Sequence, residues 1–236
     1  FNVNYYRILK KKIIVNLIKD FESFNWNSGY ILSALNLASL GFLYKEKILI
    51  SDRLFFWGDG VFHKFMIRNS LKIPGSRLLN LIKLPNYIKT IHVLGNLTRK
   101  QLIFLKKNYD NINVKNSPLP YGDINLIIKY LPSLNSKNEI IFLTLPTPKQ
   151  EQVAYFYHQK NPELKMICIG GGLAIASGDE KPVPKFFDYI GLEWFWRLRY
   201  ETRRRFKRLV ISGYYFLEYI IYGNFFKKIF KSNRLI

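Results

Sequence analysis

The chain has 236 residues, with 37 lysines and arginines against 16 aspartates and glutamates, which gives a formal net charge of +21 at pH 7. This length is enough for one domain with a full apolar core. The excess of cations predicts an acidic partner: nucleic acid, an anionic membrane surface or a charged substrate. The single cysteine, Cys168, excludes a disulfide framework; its apolar neighbours predict a small buried side chain in a reducing compartment.

The amino-terminal segment predicts a helix over residues 5–23, where Ile13, Leu17 and Phe21 recur at helical spacing. Residues 1–20 lack the long apolar stretch and the small-residue cleavage site of a signal peptide, so we expect no export signal. Polar residues and a glycine at 25–29 then end this helix.

Apolar runs then alternate with helical segments. Strands are predicted at residues 30–35, 48–50, 54–57, 91–94, 140–145 and 164–169, with a short strand at most within 111–121. Helices are predicted at residues 61–83 with a break at 73–75, and at 99–108, 124–131 and 151–158, with a helix or turn at 38–47. This alternation predicts an α/β fold with a mainly parallel, Rossmann-like, doubly wound sheet over residues 1–191.

Polar or glycine-containing stretches follow several of the predicted strands. Asn36 ends the strand at 30–35, Gly58-Asp59-Gly60 follows 54–57, and Pro146 to Glu151 follows 140–145. Open α/β sheets bind their ligands at the carboxyl ends of the strands, so this edge is the expected site. A plain helix start explains residues 147–151 as well, and tight turns explain the glycines.

The last residues, 192–236, form a basic and aromatic appendage. Arg197, Glu201, Arg204 and Arg208 recur on one helical face, and an apolar run at 209–226 follows. Three interpretations stay open. We favour an amphipathic segment on an anionic membrane surface; the others are a helix pair docked on the core and a spanning helix, for which the run is shorter than the roughly 20 residues required.

Five motifs occur in the order found in one enzyme family. They are Gly58-Asp59-Gly60, Ile73-Pro74-Gly75, Pro148-Lys149-Gln150-Glu151, Gly170-Gly171-Gly172, and Gly191-Leu192-Glu193-Trp194 with Arg197-Leu198. In these motifs, over about residues 36–208, the chain resembles the TagA/WecG/CpsF glycosyltransferases, glycosyltransferase family 26. The combination of the third and fifth motifs is specific, whereas each motif alone is not.

The resemblance implies an inverting, metal-independent transfer of a sugar, N-acetylmannosamine or a related one, from a UDP-sugar to a polyprenyl-diphosphate-linked acceptor. It implies a peripheral protein at the cytoplasmic face of the cell membrane, where the basic appendage completes the site, and cell-surface polysaccharide synthesis as the pathway. No cofactor is expected. The three histidines, His63, His92 and His158, are too dispersed for a metal site.

The resemblance also assigns roles to residues. Asp59 is the expected base for the acceptor hydroxyl, although an Asp-Gly pair is also a common turn. Gln150 is the second catalytic candidate and would donate to the sugar or the diphosphate, and Asn36, otherwise a strand-end cap, would bind the sugar. The leaving diphosphate needs cations and backbone amides. The remaining substrate-binding candidates are Lys72, Gly95, Lys149, Gly170, Gly171, Arg197, Arg204 and Lys207.

Several positions depart from the family's pattern. They are Ala34 for threonine, Lys72 for arginine, Pro146-Thr147 for Gly-Ser, Leu173-Ala174 for Phe-Asp, and Glu201-Thr202 for Glu-Pro. These changes predict a divergent member with a different donor sugar. The alternative function is a non-catalytic basic module that binds phosphates of nucleic acid or anionic lipid. For the enzyme, nucleic acid is not an expected partner, and self-association is left open.

Overall fold

A computed structural model of the chain describes its central part almost continuously. The described residues are 4–8, 13–18, 21, 24–36, 39, 53–59, 73–134, 138–184, 186–187, 196, 206, 210–211, 213–214 and 217. The predicted strand at 48–50, the predicted helix at 61–72 and most of the predicted helix or turn at 38–47 lie outside them.

An eight-stranded sheet forms the centre of the protein. Its strands are β1 (Asn4–Ile8), β2 (Ile13–Leu17), β3 (Tyr30–Leu35), β4 (Leu54–Gly58), β5 (Thr90–Leu94), β6 (Asn113–Ser117), β7 (Glu139–Leu143) and β8 (Lys165–Cys168). Their spatial order is β1-β2-β4-β3-β8-β7-β5-β6. All neighbouring pairs are parallel except β1 with β2. The predicted mainly parallel sheet is therefore confirmed.

Helices cover both faces of this sheet. The described helices of five or more residues are α1 (Gly75–Leu81), α2 (Arg99–Asn108), α3 (Ile124–Lys129), α4 (Lys149–Lys160) and α5 (Gly172–Ala176). One apolar core contains Ile127 of α3 and Val153 of α4. The core on the other face contains Leu78 of α1, Leu105 of α2 and Leu173 of α5. The sheet is therefore doubly wound, as predicted.

The helix predicted over residues 5–23 is wrong. The segment forms β1 and β2, an antiparallel pair, and Asn16 and Leu17 of β2 pair with Phe55 and Phe56 of β4. The β-branched run at residues 13–15 favours an extended backbone, and spacing alone does not separate a short strand from a helix. Pairing with a distant strand supplies the backbone hydrogen bonds that decide between them.

The strand order creates a crevice at one edge of the sheet. The chain leaves β5 toward β6 and leaves β7 in the opposite direction, toward β8. The connecting helices α2 and α4 accordingly lie on opposite faces of the sheet. Such a switch point leaves the loops after the two strands apart and opens a ligand crevice above their carboxyl ends.

Little of the carboxyl-terminal appendage belongs to the described residues. Phe206, Val210, Tyr214 and Leu217 are helical and exposed. Their spacing of four, four and three residues is the spacing of one face of an α-helix. None of the described helices combines the length and the apolar character that crossing a bilayer requires. The domain boundary at residue 191 stays a prediction.

A buried histidine makes stability depend on pH. Nδ1 of His92 lies 3.2 Å from Oε1 of Glu139, and Nε2 lies 2.8 Å from Oγ of Ser117. Burial lowers the pKa of His92 from its ordinary value of 6.5, and Lys115 lowers it further, whereas Glu139 opposes the shift. Below pH 6.5 the unfolded chain therefore binds a proton that the folded chain does not, and stability falls.

We expect His92→Gln to reduce this dependence. Wild-type stability should be complete above pH 6.5 and decline as the pH falls below that value. The variant should show a shallower decline, measured as the urea midpoint of unfolding between about pH 7 and pH 5. An equally steep decline in the variant would show that another group is responsible.

Candidate active site

A crevice of about 710 Å³ lies above the carboxyl ends of β5, β7 and β8. Its volume is in the range of small-molecule sites, roughly 300–1,000 Å³. Four of the predicted substrate-binding residues line it: Gly95, Lys149, Gly170 and Gly171. The loop after β6, residues 119–123, forms another wall, and Asn96, Gln101 and Thr144 add polar groups.

Gly95 is required where the ends of the neighbouring strands β5 and β7 approach each other. Its φ is +132°, and a Cβ atom at this position would lie 2.1 Å from Oγ1 of Thr144. Thr144 is itself held against β5, because its Oγ1 donates a hydrogen bond of 3.2 Å to the carbonyl oxygen of Leu94. The glycine therefore allows the close approach of two strand ends that shape the crevice.

Lys149 places a cation in the crevice. It is the first residue of α4, and its Nζ donates a hydrogen bond to the carbonyl oxygen of Gly122. This bond connects the start of α4 to the loop after β6. An ammonium group with three donors is suited to a phosphate, although it lacks the planar geometry of arginine.

Below the crevice lies a buried polar network around Glu151. Its Oε1 accepts hydrogen bonds from Oγ of Ser33 and Nε2 of Gln150, both at 2.8 Å, and from Oγ1 of Thr147 at 3.2 Å. Nε2 of Gln150 also donates to Oγ1 of Thr147 at 3.2 Å. Glu151 is in the first turn of α4, where the helix dipole favours a negative charge.

The sequence interpretation missed Glu151, Ser33 and Thr147 as parts of this site. Glu151 stands within one of the family motifs, and an acidic residue in a first helical turn is a recognisable local signal. Ser33 carries no such signal, because it lies 118 positions from Glu151 in sequence and the parallel sheet brings them together.

Cys168 lies close to the same network. The side chain is buried, as predicted. Burial raises the pKa of the Cys168 thiol, and the charge of Glu151 raises it further. The thiol therefore stays protonated and serves as a small core residue.

Asn36 and Asp59 follow β3 and β4, on the same edge of the sheet as the crevice. Oδ1 of Asn36 accepts the backbone N–H of Ser39 at 3.1 Å, and Oγ of Ser39 accepts the backbone N–H of Asn36 at 2.8 Å. This reciprocal pair is the cap geometry predicted as the alternative for Asn36.

Asp59 is half-buried and is positioned by its neighbouring backbone. Its N–H donates to the carbonyl oxygen of Leu35 at 3.2 Å, which attaches it to the end of β3. The N–H of Ile73 donates to the carbonyl oxygen of Gly58 at 2.9 Å. The second family motif, Ile73-Pro74-Gly75, therefore begins directly beside the first.

The second and fourth motifs are also in contact. A Cβ atom on Gly172 would lie 2.8 Å from the carbonyl carbon of Gly75, so α1 and α5 begin with their backbones packed together. The loops after β4 and β8 are thereby connected. The first, second and fourth motifs, which are far apart in sequence, therefore lie side by side along the carboxyl edge of the sheet.

Four predicted residues lie outside the described part of the chain: Lys72, Arg197, Arg204 and Lys207. Their roles stay predictions. Within the described part, no group of three histidine, cysteine or acidic side chains is arranged to hold a metal ion.

The fold and the crevice define an α/β protein with a candidate ligand site at the switch point of a doubly wound sheet. Residues 129–229 match the model of the Glycosyl transferase WecG/TagA/CpsF family. With the relatives described next, this match confirms the resemblance inferred from the motifs. The chain is similar to this glycosyltransferase family, as a divergent relative.

Three similar proteins share one name, N-acetylglucosaminyldiphosphoundecaprenol N-acetyl-beta-D-mannosaminyltransferase. The protein from Bacillus subtilis (strain 168) is 29% identical over 111 residues, 47% of this chain and 43% of that protein. The protein from Bacillus spizizenii is 32% identical over 79 residues, 34% and 31% of the two chains. The protein from Staphylococcus aureus (strain NCTC 8325 / PS 47) is 24% identical over 222 residues, 86% and 85%. The aligned part thus spans less than half of each Bacillus relative.

Proposed function

We propose that this protein transfers N-acetylmannosamine or a related sugar from UDP to a polyprenyl-diphosphate-linked N-acetylglucosamine, with inversion at the anomeric carbon and without a metal ion. The observation that carries the proposal is the alignment of the crevice, Gln150 and Asp59 along one edge of the sheet. The printed name of the relatives from Bacillus and Staphylococcus supports the choice of sugar and acceptor.

The strand order supports one orientation of the sugar nucleotide along the carboxyl edge of the sheet. From β7, which borders the crevice, the edge continues through β8 and β3 to β4, where Asp59 lies. Neighbouring strands are about 4.8 Å apart, so three steps cover about 14 Å. A nucleoside in the crevice would place its diphosphate over the loop after β8 and its sugar toward β3 and β4.

Each residue type suits one part of the reaction. Lys149 and the backbone at Gly170 and Gly171 would contact the diphosphate, with Lys72, Arg197, Arg204 and Lys207 adding positive charge as UDP leaves. Gln150 and Asn36 would bind the sugar. Asp59 would take the proton from the acceptor hydroxyl as its oxygen attacks the anomeric carbon from the face opposite UDP.

A lipid-linked acceptor requires the protein to work at a membrane. We place it at the cytoplasmic face, with residues 192–236 lying on the anionic surface. The net charge of +21 supports this arrangement. The exposed apolar positions Phe206, Val210, Tyr214 and Leu217 support it further, because such a face can enter the acyl boundary.

Thermal unfolding with nucleotides tests the nucleotide class. We expect UDP at 100 times its Kd to add about 2.7 kcal/mol to the free energy of unfolding and so to raise Tm. A chelator should leave this shift unchanged if no metal takes part. ADP is the matched control, because it carries the same diphosphate on another base, and it should stabilise less. Absence of a shift with UDP and with every UDP-sugar tried would contradict the proposed function.

A further inference from the structure

The side-chain nitrogen of Gln150 makes two hydrogen bonds, whereas its side-chain oxygen makes none to the described residues. Its side chain is buried, with the residue only 3% exposed. Both hydrogens of Nε2 are used, toward Oε1 of Glu151 at 2.8 Å and Oγ1 of Thr147 at 3.2 Å. Among the described residues, Oε1 of Gln150 has no hydrogen-bond partner, although it is buried. A buried acceptor without a donor is costly, so such an atom points to a missing ligand group.

Glu151 determines the orientation of the Gln150 side-chain amide, that is, the positions of its nitrogen and its oxygen. Oε1 of Glu151 acts as a hydrogen-bond acceptor, so the nitrogen of Gln150 must face it. Glu151 is held in place in turn, because Oγ of Ser33 and Oγ1 of Thr147 donate to the same oxygen. Rotating the Gln150 amide by half a turn would place two acceptors against each other.

The oxygen of this amide lies under the crevice. A Cβ atom at Gly170 would lie 3.5 Å from Oε1 of Gln150 and 3.8 Å from its Nε2. Gly170 lines the crevice and has a φ of +50°, which L side chains rarely adopt. A side chain at this position would begin in van der Waals contact with the amide, and glycine avoids placing one there.

We infer that Glu151 is a positioning residue that makes Gln150 a hydrogen-bond acceptor for the donor sugar. The group that Gln150 recognises is a sugar hydroxyl or the N–H of an N-acetyl substituent. The ionised diphosphate offers only acceptors, so it is not the partner of this oxygen. The resemblance implies that Gln150 donates to the sugar or the diphosphate, whereas this inference makes it an acceptor. This inference rests on the proposed function and specifies how its donor is recognised.

Calorimetric titration of the full chain with two probes, UDP and UDP-N-acetylmannosamine, tests it. Gln150→Met and Glu151→Gln should leave the Kd of UDP within about twofold and raise that of the sugar nucleotide about tenfold, the order of one hydrogen bond. Glu151→Gln acts indirectly, because an amide at 151 can pair with Gln150 in either orientation. Glu139→Gln, at the other well-buried glutamate, is the matched control and should change neither Kd.

Two results of the titration would overturn the inference. Equal weakening of UDP and the sugar nucleotide by Gln150→Met would place the amide on the diphosphate. A normal sugar-nucleotide Kd in Glu151→Gln, beside a raised one in Gln150→Met, would remove the positioning role. If Glu151→Gln does not fold, Ser33→Ala replaces it. This variant should also raise the Kd of the sugar nucleotide, but by a smaller factor, and leave that of UDP unchanged.

A second measurement separates this inference from the proposed function. The Gln150 side-chain NH₂ should exchange slowly with solvent in the ligand-free wild type, as observed by ¹⁵N NMR, and quickly in Glu151→Gln. Equal protection in both proteins would overturn the positioning role whether or not a ligand binds. A wild type that binds neither probe would overturn the proposed function and the sugar contact, while loss of protection in the variant would still support the positioning role.

Discussion

Asp59→Asn is expected to abolish sugar transfer and to leave nucleotide binding intact. Asparagine keeps the size of the side chain but does not accept the proton of the acceptor hydroxyl. General-base catalysis contributes about 10²- to 10⁴-fold, so we expect kcat to fall by about 10³-fold. UDP release in the presence of a lipid-linked acceptor measures the loss. The Kd of UDP should stay within about twofold, because the substitution changes at most one hydrogen bond to the nucleotide.

Asp110→Asn is the matched control for this experiment. Asp110 is exposed and follows α2, and Oδ1 of its side chain accepts a bond from the N–H of Asn111. This variant should retain full transfer. A kcat within a few-fold of wild type in Asp59→Asn would exclude Asp59 as the base. Loss of UDP binding in Asp59→Asn would instead indicate that the residue shapes the nucleotide site.

Gly172→Ala is expected to destabilise the fold. The added Cβ would lie 2.8 Å from the carbonyl carbon of Gly75, 3.0 Å from its oxygen and 3.2 Å from the nitrogen of Ser76. These are backbone atoms, which cannot rotate away as a side chain would, so α1 or α5 must shift. Overpacking of this kind costs about 1–3 kcal/mol. For a chain of this size we expect Tm to fall by roughly 2–10 °C, measured by calorimetry or circular dichroism.

The neighbouring glycine supplies the control. A Cβ on Gly171 would meet no atom within 4 Å, and its φ of −74° is ordinary for any residue. Gly171→Ala should therefore unfold within about 2 °C of wild type. If both variants lose the same stability, the loss would come from replacing glycine in this loop, and the contact between α1 and α5 would not explain it.

Local patterns were sufficient for most of the elements. The helix predicted at residues 99–108 is α2 to the residue, because Thr98 and Gln101 form a capping box entirely within this segment. The run at 140–145 became the fully buried strand β7, since an unbroken apolar run is typical of a strand covered on both faces. In such segments the residues that form the sequence pattern are the same residues that form the helix cap or the buried strand.

Long-range pairing decided the elements that were predicted wrongly. Residues 5–23 carry a spacing that suits a helix, yet β2 pairs with β4, whose Phe55 and Phe56 lie far along the chain. The role of Glu151 depends in the same way on Ser33 of β3, which no local pattern connects to it. The energies of strand pairing and of hydrogen bonds between distant segments arise only after the sheet has formed. A local sequence pattern therefore does not reveal them.

By itself, the sequence determined the resemblance to the family, the positive charge and the motifs that end the strands, because these depend on residue identity and short spacing. Only the tertiary structure decided the order of the strands, and with it the crevice between the loops after β5 and β7. It also decided that the amide nitrogen of Gln150 faces Glu151, whose carboxyl group accepts a second hydrogen bond from Ser33 of a different element. Hydrogen bonds between distant segments exist only when packing brings their atoms to within about 3 Å.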